Sequence, residues 1–362
     1  MTINVTRPAL PDLNKYSEYL TGIWERAHLT NRGPLVIDLE QKLIQYLGLN
    51  HLLFVANGTL AIQVAIKAMG LKGSILTTPF SYVATTTSIL WENCEPVFVD
   101  IEPNTFCINP NLIESKIKSD TTAILATHVY GFPCEVEKIE QIAKKHNLRV
   151  IYDAAHAFGV KYKGESLLNY GDVSTLSFHA TKLFHTVEGG AIVSNDTSLN
   201  QKIFNLHAFG HLGDEYFSVG VNAKNSEFHA AMGLCNLPTV HDAIAKRKTV
   251  ADSYISILRE LPLQLPKIAP DIEYNYAYFP IIFENEKILL HVKKSLEAEG
   301  VNTRRYFYPS LNKLPYITSE DECPVSEDIS RRVLCLPFYQ QLTDKEISKI
   351  SAIIIKATLK KL

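Results

Sequence analysis

The apolar positions along the chain follow two patterns: helical spacing in some segments and short β-branched runs in others. The segment LVIDLEQKLIQYLG (35–48) has apolar residues at helical spacing and ends at Gly48, which can adopt the left-handed cap conformation. The segment HLLFVANG (51–58) then predicts a short strand and a turn, and TLAIQVAIKAMG (59–70) predicts a helix that begins at Thr59. Helices and strands therefore follow one another from the start.

This alternation of predicted helices and strands continues through the first two thirds of the chain. Further short strands are predicted in SILTTP (74–79), EPVFVDI (95–101), TTAILATHVYG (121–131), LRVIYDAAHAFG (148–159) and STLSFHATK (174–182). Each is followed by a loop or a helix, which is the β-α-β order of a mostly parallel sheet. We therefore expect an α/β fold, with a mostly parallel central sheet flanked by helices.

The pattern changes near Ile244. A long charged helix is predicted in AIAKRKTVADSYISILREL (243–261), an alternating strand in YNYAYFPIIF (274–283) and another helix in ENEKILLHVKKSLEAEG (284–300). A length of 362 residues also argues for about two domains. We predict a large domain over 1–245 and a smaller α/β domain over 246–362.

Composition excludes several classes of protein. A net charge of −2 lacks the excess of positive charge that is typical of nucleic-acid-binding proteins. The apolar runs fall far short of the ~20 residues that a membrane helix needs. Six cysteines are scattered without metal-ligand spacing, which predicts reduced thiols in a cytoplasmic protein and no metal site. Cys323, in a polar loop, is either a reactive thiol or an inert one.

Ligands of such sheets bind at the carboxyl ends of the strands, so polar residues there are candidates. In VANGTLAIQ (55–63) a strand ends, Asn57 and Gly58 form a turn, and Thr59 opens a helix. Free N–H groups and a hydroxyl then meet the positive end of a helix dipole, which suits an anion. The segment is neither a Walker loop nor a GxGxxG turn, so a single phosphate fits better than a pyrophosphate. A plain helix cap explains the same residues without a ligand.

Two further strand ends carry candidate chemistry. Asp153 ends a buried strand, and a buried carboxylate needs a cationic or hydrogen-bonding partner, either a protonated pyridine nitrogen or a structural Arg or Lys. Ser177 ends another strand, and Lys182 lies 29 residues after Asp153 (182 − 153 = 29). Most lysines are solvated charges, but a lysine with a lowered pKa attacks carbonyl groups. A phosphate-type turn, a carboxylate and a hydroxyl followed by a lysine are the parts that pyridoxal 5′-phosphate (PLP) needs.

Several segments, in order along the whole chain, carry a resemblance to a known family. They include NGTLAIQVAI (57–66), TPFSYVATTTSI (78–89), YDAAHAFG (152–159), SFHATK (177–182), EGGAIVSND (188–196) and NAKNSEFHAAMGL (222–234). With these segments the chain resembles the DegT/DnrJ/EryC1/StrS sugar aminotransferases, which are PLP-dependent enzymes of fold type I.

The resemblance implies a role for each matching residue. Lys182 corresponds to the lysine that binds the cofactor covalently and later moves a proton, and Asp153 to the carboxylate that keeps the pyridine nitrogen protonated. His156 stands where the family often has Gln and is expected to contact the 3′ oxygen of the cofactor. Tyr82 corresponds to the aromatic residue stacked on the pyridine ring. The phosphate contacts correspond to Gly58, Thr59, Ser177 and, from the neighbouring subunit of a homodimer, Asn222.

Other polar residues near the strand ends are open to a structural interpretation. His185 either faces the sugar or packs, and His179 is expected to pack under its loop. We expect structural roles for Asp100, His128 and Tyr130. Arg304 and Arg305 are expected to be solvated charges, so that no arginine is assigned to the glutamate carboxylate.

The resemblance implies transfer of an amino group from L-glutamate to a nucleotide-linked keto sugar, of the kind used for lipopolysaccharide or O-antigen. SFHATK with EGG resembles members that aminate C4, and NAKNSEFHAAMGLCNL resembles transaminases that make dTDP-4-amino-4,6-dideoxyglucose from dTDP-4-keto-6-deoxyglucose. A C3 aminotransferase is the nearest alternative. A catalytically silent binding or regulatory module is another, whereas Lys182 argues against a dehydratase of the same fold, which has histidine in its place.

Overall fold

The computed structural model describes residues 2–359. The strands are β1 (Leu53–Val55), β2 (Ser74–Thr77), β3 (Glu95–Phe98), β4 (Thr121–Thr127), β5 (Arg149–Asp153), β6 (Lys161–Tyr162), β7 (Glu165–Ser166), β8 (Val173–Ser177), β9 (Gly190–Val193), β10 (His211–Leu212), β11 (Glu215–Tyr216), β12 (Ile272–Glu273), β13 (Pro280–Ile282) and β14 (Val333–Cys335). The α-helices are α1 (Leu13–Arg26), α2 (Pro34–Leu47), α3 (Gly58–Ala68), α4 (Val83–Trp91), α5 (Pro110–Ile113), α6 (Val136–His146), α7 (Thr197–His207), α8 (Glu227–Asn236), α9 (Val240–Leu258), α10 (Glu286–Ala298), α11 (Pro324–Arg332) and α12 (Asp344–Leu359).

A seven-stranded sheet, in the order β1-β9-β8-β5-β4-β2-β3, forms the centre of the fold. The strands from β8 to β3 run parallel, while β9 is antiparallel to both β8 and β1. Two antiparallel steps restore the direction, so β1 points the same way as β8. The carboxyl ends of β1, β2, β4, β5 and β8 therefore lie along one edge, and the mostly parallel sheet expected from the sequence is confirmed.

Helices cover both faces of this sheet. Along β5, Val150 and Tyr152 pack into one apolar cluster with residues of α2 and α8, whereas Ile151 packs into another with residues of α3 and α7. Successive side chains of a strand point to opposite faces, so a strand covered on both sides is apolar at nearly every position. The helix predicted over 35–48 is α2, and Gly48 caps it in the left-handed conformation.

A second part of the molecule is built from α9, α10 and α12 around the antiparallel pair β13 and β14. Its apolar cluster runs from Val250 to Ala357 and includes Ile3 from the start of the chain. Helix α9 spans the predicted boundary, and the division into 1–245 and 246–362 stays a prediction. Within YNYAYFPIIF only Pro280–Ile282 forms a strand, so the predicted extent was too long. Among the described helices, none is both long enough and apolar enough to cross a bilayer.

Candidate active site

A cavity of about 290 Å³ opens at the edge where the parallel strands end. This volume is near the lower limit of the range of about 300–1,000 Å³ for small-molecule sites. The cavity is lined by seven of the eight residues predicted from the sequence: Gly58, Thr59, Tyr82, Asp153, His156, Ser177 and Lys182. The fold thus brings together residues that lie up to 124 positions apart in the sequence (182 − 58 = 124).

Asp153 is the last residue of β5 and is 5% exposed. One carboxylate oxygen accepts a 2.6 Å hydrogen bond from the Thr85 hydroxyl, and the other accepts a 3.1 Å bond from the Ala155 N–H. Burial raises the pKa of Asp153, while these two donors and the Lys182 ammonium oppose that rise. The carboxylate is therefore held in a fixed orientation beside the cavity.

Lys182 lies in the loop after β8, and its amine reaches the same cavity. Its Nζ donates a 3.3 Å hydrogen bond to the Tyr278 hydroxyl. Burial lowers the pKa of Lys182, and the negative charge of Asp153 partly opposes this. A lowered pKa increases the fraction of neutral amine, which is the nucleophilic form.

The start of α3 leaves two backbone N–H groups without an acceptor beside the cavity. The Asn57 side chain accepts the Leu60 N–H at 2.8 Å, and no described residue accepts the N–H groups of Gly58 and Thr59. A Cβ on Gly58 would lie 3.0 Å from the Ser177 Cβ, so glycine keeps the turn close to the end of β8. With the positive end of an 11-residue helix, these donors suit a phosphate.

His156 lines the cavity as a neutral hydrogen-bond donor. Its Nδ1 accepts the Tyr130 N–H at 3.1 Å, so the proton of the neutral ring is on Nε2. Burial and the nearby Lys182 hold the pKa of His156 well below its usual value. The Phe307 ring stacks on it at 5.7 Å. The ring is thus fixed in position and in tautomer.

The other two predicted residues are exposed. Tyr82 directly precedes α4, lines the cavity and is 58% exposed, so its ring is free to cover a bound ligand. Asn222 lies outside the cavity, at an exposed position where its backbone bridges Ala208. Asn222 therefore does not line this cavity with the other seven residues.

Sequence reasoning missed the residues that close the cavity from the C-terminal side. These are Tyr278, Arg304, Tyr306 and Phe307, which lie after the helix α9. The aromatic residues in YNYAYF (274–279) and RRYFY (304–308) were the available signal, but one sequence does not reveal that they face the strand ends.

The expectation of two solvated arginines was wrong for Arg305. Its side chain is 13% exposed and forms a 2.7 Å ion pair with Glu286. Arg304 is exposed but lines the cavity, 5.4 Å from the centre of the Tyr306 ring. Backbone hydrogen bonds to Cys335 fix its position beside β14. Arg304 thus places a positive charge at the cavity.

The two histidines of the lysine loop differ from one another. His179 was expected to pack, but it is exposed and lines the cavity, with Nε2 3.7 Å from a carboxylate oxygen of Glu188. His185 packs instead: it is 2% exposed, and its Nε2 lies 2.7 Å from the carbonyl oxygen of Ala9. Of the two alternatives for His185, the structure favours packing.

Three other strand-end residues have structural roles, as expected. Asp100 accepts the N–H groups of Val325 and Ser326 at the start of α11, His128 accepts the Cys134 N–H at 3.0 Å, and Tyr130 is fully buried.

All six cysteines are free and buried. Burial raises the pKa of Cys323 to about 12, which favours the inert alternative for this thiol. Residues 2–359 contain no cluster of potential metal ligands.

Comparisons with known proteins agree with this geometry. A model of the DegT/DnrJ/EryC1/StrS aminotransferase family matches residues 13–355. The chain is 39% identical over 349 residues to a dTDP-4-amino-4,6-dideoxy-D-glucose transaminase of Shigella dysenteriae, covering 94% of this chain and 95% of the relative. Among solved structures, it is similar to DesI in the presence of its TDP-sugar product, with a TM-score of 0.94 and 32% identity, covering 99% of this chain and 93% of that one. It is also similar to NtdA of Bacillus subtilis with the bound cofactor PMP, with a TM-score of 0.89 and 28% identity over 96% of this chain and 82% of that one.

Proposed function

The chain belongs to the DegT/DnrJ/EryC1/StrS aminotransferase family, and on that premise we propose that it transfers the amino group of L-glutamate to C4 of a nucleotide-linked 4-keto-6-deoxy sugar. The sugar substrate is dTDP-4-keto-6-deoxyglucose, and the product is dTDP-4-amino-4,6-dideoxyglucose. The observation that carries this proposal is the 39% identity, over nearly the full length of both chains, to a transaminase named for that product. The enzyme is a nucleotide-sugar transaminase of PLP fold type I, and its cofactor is PLP.

The residues of the cavity fit this cofactor. The uncapped N–H groups of Gly58 and Thr59 and the Ser177 hydroxyl supply donors for a phosphate. The buried Asp153 carboxylate suits a cationic ring nitrogen, and His156 offers its Nε2 proton to a ring oxygen. Tyr82 has the exposed ring needed to stack on the pyridine. The cavity thus offers one matching group each for the phosphate, the protonated ring nitrogen and the ring oxygen of the cofactor.

When bound, PLP supplies an electron-accepting ring that carries the amino group from one substrate to the other. Lys182 provides the amine that binds the cofactor covalently and then moves a proton through its Nζ. Asp153 keeps a negative charge at the end of β5, where it holds the ring nitrogen protonated. Loss of that charge in Asp153→Asn is expected to slow the half-reaction with glutamate about 100-fold or more.

Arg304 gives this site a charge for its anionic substrates. It is exposed at the cavity and forms no ion pair with any residue among 2–359. Both glutamate and a nucleotide-linked sugar are anions, and a guanidinium binds carboxylate or phosphate in bidentate geometry. We assign Arg304 to binding one of these two substrates.

The active site is completed by a second copy of the chain. Asn222 is exposed and does not line the cavity of its own chain, so its side chain is open to a neighbouring subunit. In the proposed homodimer each chain supplies Asn222 to the phosphate of its partner. We place the enzyme in the cytoplasm, in line with its six unpaired cysteines.

Incubation of the PLP-loaded enzyme with L-glutamate and dTDP-4-keto-6-deoxyglucose tests the proposal. The expected product carries nitrogen at C4, which two-dimensional NMR of the purified sugar nucleotide identifies. Amination of a 3-keto sugar but not of the 4-keto sugar would support the C3 alternative. Absence of amine transfer to either sugar, with PLP bound, would support the silent binding module.

A further inference from the structure

A line of three buried hydroxyl groups leads to Asp153, and one of them, Ser81, also lines the cavity. Thr127, the last residue of β4, lies 3.1 Å from Ser81 between the two hydroxyl oxygens. Ser81 lies 2.8 Å from the Thr85 hydroxyl in the first turn of α4, and Thr85 lies 2.6 Å from the Asp153 carboxylate. None of the three is more than 1% exposed. The line connects the ends of two neighbouring strands through the start of a helix.

The chemistry of the groups fixes the direction of every hydrogen bond in this line. An ionised carboxylate only accepts, so Thr85 must donate its single proton to Asp153. Thr85 then has no proton for Ser81, which must donate to Thr85. Ser81 in turn can only accept from Thr127. All three protons therefore point toward Asp153.

We propose that Thr127, Ser81 and Thr85 form a one-way hydroxyl chain that keeps the Asp153 carboxylate ionised and oriented toward the ring nitrogen of the cofactor. Hydrogen bonds arranged in series polarise one another, so the distant hydroxyls strengthen the last bond. That bond is short and charge-assisted. The Ala155 N–H holds the other carboxylate oxygen at 3.1 Å, so that neither oxygen is free to rotate. These hydroxyls are positioning residues, and the proposal rests on the proposed function only for the identity of the cofactor.

The surroundings of Asp153 show why such a chain is needed. Burial raises the pKa of Asp153 and favours the neutral acid, which would not hold a proton on a ring nitrogen. Other titratable groups face it from several elements: Lys182, His156, Tyr278 and Cys134. Of these, Lys182 acts in favour of the ionised form. Thr85 supplies the larger opposing contribution, and it does so whatever the charge of Lys182.

The same helix contains a matched control. Thr86 is as buried as Thr85, but its hydroxyl has no hydrogen-bond partner among the described residues. A change of Thr86 to valine therefore repeats the change in shape without removing a hydrogen bond. Thr85→Ser is the second control, because it keeps the hydroxyl.

The test measures the pKa of Asp153 by carboxyl ¹³C NMR of the full-length protein without cofactor, with the Asp153→Asn spectrum for assignment. Thr85→Val is expected to raise this pKa by about one to two pH units, the size of one lost hydrogen bond to a charged group. Thr85→Ser and Thr86→Val should leave it close to the wild-type value. Ser81→Ala and Thr127→Val should raise it by progressively smaller amounts.

Two results would overturn the proposal. An equal pKa in Thr85→Val and Thr86→Val would show that the Thr85 hydroxyl does not act on the charge. A rise in Thr85→Val with none in Ser81→Ala and Thr127→Val would reduce the chain to a single bond. If Thr85→Val does not fold, the pKa of Asp153 in Ser81→Ala and Thr127→Val tests the hydroxyl chain instead. Each of these variants removes a single hydroxyl that lies outside α4.

A second readout uses bound PLP. In Thr85→Val the pH at which the absorption of the protein-bound cofactor changes should move relative to Thr86→Val, and Thr85→Ser should restore it; equal values in the two valine variants would contradict the proposal. Neither measurement involves a sugar substrate. A failure of C4 amination would therefore reject the proposed function while the hydroxyl chain is judged on its own data.

Discussion

Burial distinguishes Lys182 from the other lysines near the sheet. Its pKa is lowered by desolvation, and its amine points to the Tyr278 hydroxyl rather than to a carboxylate. Lys161, by contrast, is exposed and paired with Glu273. The useful property of Lys182 is therefore a larger fraction of neutral amine than an exposed, ion-paired lysine has.

Removing this amine should abolish the chemistry and spare the fold. In Lys182→Ala we expect no covalent cofactor after borohydride reduction and no amine transfer, because the nucleophile and proton carrier are both lost. Mass spectrometry of the reduced protein and product assays check this, with Lys161→Ala as the control. Turnover near the wild-type rate in Lys182→Ala would refute the assignment.

Substitution of the two adjacent arginines is expected to have different effects: Arg304→Gln should weaken substrate binding, and Arg305→Gln should lower stability. Arg304→Gln is expected to raise KM for glutamate or for the sugar nucleotide about tenfold, and to change stability by less than about 0.5 kcal/mol, because its charge faces the cavity. Arg305→Gln breaks a largely buried ion pair with Glu286 and should cost about 1–3 kcal/mol of unfolding free energy. Separate half-reaction kinetics and urea unfolding measure the two effects. An Arg304→Gln enzyme with both KM values unchanged would remove Arg304 from substrate binding.

At the scale of the element, the sequence predicts what local pattern determines. The apolar runs that became β2, β4 and β5, and the polar residues that end them, follow from period and burial along single strands. The antiparallel placement of β9 between β8 and β1 does not, because it depends on pairing between segments far apart in the chain.

The same limit applies to the site. Asp153 and Lys182 stand at strand ends that the sequence reveals, whereas Tyr278 and Phe307 reach the cavity from loops whose positions depend on packing in the C-terminal part. The alternation in YNYAYFPIIF suggested a strand, but Tyr274 is instead buried next to Phe132, and Tyr278 is half-buried next to His156. Tertiary contacts of these aromatic rings replace the ladder that the pattern alone predicted.

Substitution of Gly58 tests whether the position of the start of α3 matters for binding the cofactor. A Cβ in Gly58→Ala would lie 3.0 Å from the Ser177 Cβ and 3.3 Å from the Leu176 carbonyl oxygen, so the helix start must move away from β8. We expect about tenfold weaker PLP binding in a fluorescence titration, since the N–H donors would move away from the phosphate. Gly22→Ala on α1 is the control, because its Cβ meets only the flexible end of the Arg26 side chain. Equal PLP affinity in the two variants would contradict a phosphate site at this helix.

At the scale of the whole molecule, a group of exposed apolar side chains lies next to Asn222. It belongs to the segment 209–221, which contains the hairpin of β10 and β11, and its members are Phe209, Leu212, Tyr216, Phe217 and Val219. Adjacent exposed apolar residues of this kind indicate a surface for protein contact. A partner chain placed here would bury these residues and contact the surface beside Asn222.

Mixing two inactive variants tests this shared site. If Lys182 and Asn222 act in different chains, a heterodimer of Lys182→Ala with Asn222→Asp has one doubly damaged site and one intact site. Purified heterodimers, with a distinct tag on each chain, are therefore expected to recover about half of the wild-type activity. The aspartate is chosen because its charge repels a phosphate and should leave the Asn222→Asp homodimer nearly inactive.

The control mixture pairs Lys182→Ala with Asp153→Asn. These two residues line the same cavity of one chain, so both sites of that heterodimer are damaged and no recovery is expected. Recovery in the first mixture but not in the second requires that Asn222 crosses to the partner, because subunit exchange alone would restore neither or both. No recovery in either mixture, or full activity in a monomeric wild-type protein, would instead show that Asn222 does not act in the site of the partner chain. The exposed residues of 209–221 would then need a different partner.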